Sequence, residues 1–66
     1  MIGLSEFAKR LKEIRKGKMT QGELADLLNT SQVQISLYET GKDEPTPELF
    51  EKVAEIFGVT TDYLSG

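Results

Sequence analysis

Residues 20–42 read Thr20-Gln-Gly-Glu23-Leu-Ala-Asp-Leu-Leu28-Asn-Thr-Ser31-Gln-Val-Gln34-Ile-Ser-Leu-Tyr-Glu39-Thr-Gly41-Lys42, and they contain two helix starts. Thr20-x-x-Glu23 and Ser31-x-x-Gln34 both have the form of a capping box. In such a box the hydroxyl accepts from a free backbone N–H, and the acid or amide three residues on reaches back to another. Leu24, Ala25 and Leu28 fall on one face of the first helix, and Ile35 and Tyr38 on one face of the second. Asn29 lies between them and tolerates the left-handed backbone of a tight turn. Gly41 ends the second helix. The two starts are eleven residues apart, which leaves only a few residues for the turn.

Two short helices joined so tightly make a helix-turn-helix at about residues 20–40, an arrangement able to present its second helix to the DNA major groove. The rest of the chain supplies a scaffold for it. Leu4, Phe7, Ala8, Leu11 and Ile14 form an apolar stripe on a helix of roughly residues 4–16 that Gly17 ends. Lys9, Lys12 and Lys16 lie on its opposite face, where a solvated surface is the plainer reading. Thr46 is an N-cap and Pro47 takes the first helical position, where its missing N–H costs nothing. Leu49, Phe50, Val53, Ile56 and Phe57 are the apolar face of the helix that follows, and Gly58 stops it. Glu48, Glu51 and Glu55 are its solvent face. A last short helix is expected after Thr60 or Thr61, with Tyr63 and Leu64 packing back on the core or meeting a dimer partner. The expected fold is all-α: a single domain over residues 1–66, with five helices around one core.

Composition narrows the function. With 66 residues the core is small, and a helical bundle with short connections is the cheapest way to build it. There are no cysteines and no histidines. That excludes a disulfide scaffold and a Cys/His zinc finger, and it removes the commonest general base and the thiol nucleophile. No apolar run approaches the ~20 residues of a membrane span, and no signal-peptide pattern opens the chain. The expectation is a cytoplasmic protein that is not an enzyme and holds no metal or cofactor. The net charge of −3 is unevenly divided: residues 1–20 carry +4 and residues 21–66 carry −7. The fold decides which of these charges face a partner, so the asymmetry matters more than the total.

Taken together, the motifs Thr20-Gln21-x-Glu23-Leu24-Ala25, Ser31-x-x-x-Ile35-Ser36-x-Tyr38-Glu39-x-Gly41-Lys42, Pro45-x-Pro47 and Ala54-x-x-Phe57-Gly58-Val59 resemble the lambda-repressor-like, or Cro/Xre-type, helix-turn-helix family. The resemblance covers essentially the whole chain. It implies a five-helix bundle that binds double-stranded operator DNA, as a homodimer on a two-fold symmetric site, with the third helix in the major groove. Gln32, Val33, Ser36 and Leu37 would then contact bases, Gln32 reading adenine and Val33 touching a thymine methyl. Gln21, Thr20, Ser31 and Lys42 would contact phosphates. Arg15 and Glu39 would form an internal ion pair.

This chain departs from the pattern at four places. The loop after the first helix, Arg15-Lys-Gly-Lys-Met-Thr-Gln21, is one residue shorter than usual, which bears on whether Arg15 reaches Glu39. Gly22 sits in the first turn of the second helix, Leu37 stands where many relatives carry Arg, and Asn29 replaces the common turn glycine. The leading expectation is a sequence-specific transcriptional regulator, a repressor. Its rival is an antitoxin-like or anti-regulator module that keeps the fold and binds protein, which the acidic second half and the apolar Leu37 favour. A further domain or protein partner is compatible with either.

Overall fold

The structure, a computed structural model, describes residues 6–65. Five helices follow one another: α1 Glu6–Lys16, α2 Gln21–Leu27, α3 Gln32–Glu39, α4 Pro47–Phe57 and α5 Thr61–Ser65. No strand occurs among the described residues. Leu4, expected on α1, lies outside them. Every helix contributes to one core: Phe7 and Leu11 from α1, Leu24 and Ala25 from α2, Ile35 from α3, Val53, Ala54 and Phe57 from α4, Leu64 from α5. Ile14, Tyr38, Leu49, Phe50 and Ile56 pack against it half-buried. Phe7 anchors an aromatic group, with the Phe50 ring 5.1 Å away and the Tyr38 ring edge-on at 6.4 Å.

The helix starts follow their caps. Thr20 Oγ1 accepts from Glu23 N at 3.1 Å while Thr20 N donates to Glu23 Oε1 at 2.8 Å, so the first capping box is complete. The second is only half made. Ser31 Oγ accepts from Gln34 N at 3.1 Å, but the Gln34 amide turns away from the cap and donates to Asp43 Oδ2 at 2.6 Å. A charged acceptor brought close by the fold outbids the local backbone N–H, because hydrogen bonds to ionised groups are the stronger ones. On α4, Thr46 Oγ1 accepts from Leu49 N, with Pro47 at the first position.

Three of the helix ends share one device. Asn29, Gly41 and Gly58 have φ of 57°, 76° and 67°. In each case the next residue's amide bonds five residues back (Thr30 N to Ala25 O, Lys42 N to Leu37 O, Val59 N to Ala54 O). These are Schellman ends, which need a left-handed residue, and Asn29 fills the place that glycine takes at the other two. Gly17 is different. Its φ is not in the left-handed region, and a Cβ there would meet nothing within 4 Å. Gly17→Ala is therefore expected to stabilise the fold by about 0.4–1 kcal/mol through the unfolded chain's lost freedom, read as a raised urea midpoint. A lowered midpoint would show that the α1–α2 turn needs glycine.

Helix α5 has five residues, too few to stand alone. Leu64 is fully buried, which makes it core rather than a dimer contact. Arg10 holds the helix from outside: its guanidinium lies 4.8 Å from the centre of the Tyr63 ring, and Nη1 donates to Tyr63 O at 2.8 Å.

Candidate nucleic-acid interface

Helices α2 and α3 are joined by residues 28–31, a four-residue turn. With Ile35 and Glu39 turned into the bundle, α3 offers the opposite face. Gln32 and Val33 stand fully out of it, Val33 with 70% of its surface exposed. Ser36 and Leu37, one turn on, are half-buried. The four expected base contacts thus form one stripe at i, i+1, i+4 and i+5, most open at the N-terminal end of the helix. Val33 therefore leaves most of its side chain open to a partner.

The expected phosphate contacts differ in their freedom. The hydroxyls of Thr20 and Ser31 accept from backbone amides within their helices, and each keeps one O–H to donate. Lys42 is exposed just beyond the end of α3. Gln21 is half-buried, and its Nε2 donates to Glu39 Oε1 at 3.1 Å. It belongs to an internal network before it can touch a ligand.

That network is built on Arg15 and Glu39. The Arg15 guanidinium grips the Glu39 carboxylate with two N–H groups, Nε to Oε2 and Nη2 to Oε1, the latter at 3.0 Å. Arg15 Nη1 also donates to Met19 O at 3.1 Å. Glu39 is 3% exposed and Arg15 9%. No buried side-chain polar atom among the described residues lacks a partner. The shortened loop does not prevent the pairing, because Arg15 O accepts from both Lys18 N and Met19 N at 2.8 Å. The loop folds back over its own helix end and leaves the guanidinium facing α3. One cluster therefore ties the end of α1, the start of α2 and the end of α3 together.

Beside it lies an open concavity of about 630 Å³ whose walls include Lys16, Lys18, Thr20, Gln21 and Gln32. Sequence periodicity assigned Lys16 to the solvated face of α1 and gave Lys18 no role. In the fold both border the same hollow as the first base-reading candidate. The available signal was Lys16-Gly-Lys18, a pair of cations immediately before the Thr20 cap. Gly22 faces Gln32: a Cβ there would lie 3.7 Å from Gln32 Oε1. Among the described residues no cluster of carboxylates is arranged to hold a metal ion, and no helix is long and apolar enough to cross a membrane.

Comparison with known proteins agrees with this geometry. The helix-turn-helix family model matches residues 11–64. The chain is 40% identical over 60 residues to the HTH-type transcriptional activator BcrR of Enterococcus faecalis, covering 89% of this chain and 29% of that protein. It is 41% identical over 61 residues to the HTH-type transcriptional regulator ImmR of Bacillus subtilis (strain 168), covering 91% of this chain and 48% of that one. The chain thus spans less than half the length of either relative. Among solved structures it resembles the restriction-modification controller protein C.AhdI from Aeromonas hydrophila, with a TM-score of 0.79 at 23% identity over 89% of this chain and 91% of that one. It also resembles hydroxypropylphosphonic acid epoxidase from S. wedmorenis, with a TM-score of 0.85 at 26% identity over 100% of this chain and 36% of that one. The chain belongs to the Cro/C1-type helix-turn-helix family, whose members carry this fold as the DNA-binding domain of transcriptional regulators.

Proposed function

We propose that this chain is a repressor domain that binds a two-fold symmetric operator as a homodimer in the cytoplasm, with α3 in the major groove. The observation that carries the reading is the stripe Gln32, Val33, Ser36 and Leu37, exposed at its N-terminal end and half-buried one turn on, set beside a concavity bordered by Lys16 and Lys18. Gln32 reads adenine by two hydrogen bonds, Val33 packs on a thymine methyl, and Ser36 and Leu37 extend the contact along the groove. Thr20, Gln21, Ser31 and Lys42 meet phosphates, and Lys16 and Lys18 add cations to that set. Two copies place their recognition helices about 34 Å apart, one turn of DNA. Repression follows from occupying the operator against polymerase.

Because the overall charge is −3, non-specific attraction is weak, and binding relies on this localised basic edge and on base contacts. Gln32→Ala is expected to cost ~1–3 kcal/mol on the preferred operator and to relax preference at one base pair per half-site. Titration of the variant against operators mutated one position at a time checks it. An equal loss on every duplex would remove Gln32 from base reading.

A second reading draws on the acidic residues 21–66 and the apolar Leu37, and the fold also occurs as about a third of a longer enzyme chain, the epoxidase. On that reading the domain is an antitoxin-like or anti-regulator module whose α3 stripe, with Val33 and Leu37, meets a protein. Retention on DNA that falls steeply with salt separates the two.

A further inference from the structure

We infer that Asp43 is a positioning residue for DNA recognition: by strapping the loop after α3 to Gln34, it sets where Lys42 meets the phosphate backbone. The inference rests on the DNA-reading proposal above.

Both carboxylate oxygens of Asp43 are engaged. Oδ2 accepts from Gln34 Nε2 at 2.6 Å and Oδ1 from Glu44 N at 2.9 Å. The backbone on either side is fixed as well. Lys42 N and Asp43 N both donate to Leu37 O, at 2.9 and 3.3 Å, behind the left-handed Gly41. Residues 41–43 therefore double back along α3. The backbone bonds hold them at Leu37, and the Asp43 side chain holds them again at Gln34, three residues nearer the base-reading end. Lys42, exposed, projects from the segment between these two attachments. A lysine is a flexible point charge, so where its ammonium arrives depends on how firmly its backbone is placed.

The strap has a second consequence. Gln34 is the third residue of α3 and is of a type that reads adenine. With one amide N–H engaged by Asp43, its side chain is directed toward the loop rather than toward the stripe that Gln32 begins.

Loss of charge and loss of the strap act with opposite signs. Asp43 is an exposed acid next to Lys42, and its removal makes the loop more positive. On charge alone, Asp43→Ala should tighten binding to any DNA. If the strap positions Lys42, the same change weakens binding to the operator by about fivefold, or about 1 kcal/mol. Binding to a scrambled duplex is held level or rises.

The test uses four proteins, wild type, Asp43→Ala, Asp43→Asn and Lys42→Ala, together with the double variant Asp43→Ala/Lys42→Ala. Each is checked for unchanged helical circular dichroism and titrated with the duplex selected from a random pool and with a scrambled one, across a salt series. Asp43→Asn keeps one acceptor oxygen where Asp43 uses two, and loses the charge that strengthens both bonds, so it should weaken operator binding by less than Asp43→Ala does. Lys42→Ala should lower the salt slope by about 1 in the wild-type background and by much less beside Asp43→Ala. Asp43→Ala binding the operator as tightly as wild type, or an undiminished Lys42→Ala effect beside it, would overturn the inference. So would a wild-type salt slope that Lys42→Ala leaves unchanged. Selection of no duplex at all would instead reject the DNA-reading proposal on which the inference stands.

Discussion

Glu39→Ala is expected to destabilise the domain by about 3–5 kcal/mol, the loss typical of removing one partner from a buried ion pair. The carboxylate it removes is 3% exposed and accepts from the Arg15 guanidinium and from Gln21. Without it the Arg15 charge stays inside the bundle with only Met19 O as acceptor. At ~0.05–0.15 kcal/mol per residue, a chain of 66 residues has about 3–10 kcal/mol of stability in total, so this loss takes a large share of it. Urea unfolding followed by circular dichroism measures it. The paired replacement Arg15→Met with Glu39→Leu should recover most of the loss, because an apolar pair of similar volume avoids desolvating two charges. A loss below about 1 kcal/mol for Glu39→Ala would match a solvated surface pair and would contradict the burial described here.

Ile35→Ala is expected to cost about 2–5 kcal/mol through lost burial and the cavity left behind. Ile35 is fully buried and is the main apolar hold on α3, since Leu37 and Tyr38 are only half-buried and the other inward residue, Glu39, is held by its ion pair. The effect should therefore be local as well as global. Amide exchange in α3 should accelerate more than in α1, and whatever α3 binds should lose affinity beyond the share explained by unfolding. Uniform acceleration across all helices would mean that the recognition helix is no more weakly held than its neighbours. Ile35→Val, one methyl smaller, should cost only about 0.5–1.5 kcal/mol and leave the pattern of exchange unchanged.

The elements readable in the sequence are those set by local chemistry. Thr20-x-x-Glu23, Thr46-Pro47 and Gly58 act within a few residues of themselves, and α2 and α4 begin and end where they indicate. Asn29 carried the same kind of information, since only a residue tolerant of positive φ fits that helix end. Where tertiary partners compete, the local pattern loses. Gln34 completes a capping-box motif on paper, yet its amide bonds Asp43 nine residues away. The Arg15–Glu39 pair spans 24 residues, and counting loop length alone makes its reach look short. The backbone bonds that fold Lys18 and Met19 back onto Arg15 restore that reach, and periodicity does not reveal them.

The site divides in the same way. The stripe Gln32, Val33, Ser36 and Leu37 was implied by the family resemblance, while the helical repeat placed Ile35 and Tyr38 inside and gave no sign of the burial of Glu39. Gln21 was legible as a residue at a helix start but not as a partner of Glu39. Lys16 and Lys18 escaped because their relation to α3 depends on how α1 crosses the helix pair, which no single-helix pattern encodes. The division of charge in the sequence was a truer guide than its sum. The basic first 20 residues supply the cations at the concavity, and the acidic Glu48, Glu51 and Glu55 lie exposed on α4.

Whether α3 reads DNA is decided by selecting bound duplexes from a random DNA pool at two salt concentrations. The expected result is recovery of a palindromic motif whose half-sites lie about one helical turn apart, with affinity falling steeply as salt rises. A folded, helical sample that enriches no motif at either salt concentration would contradict it.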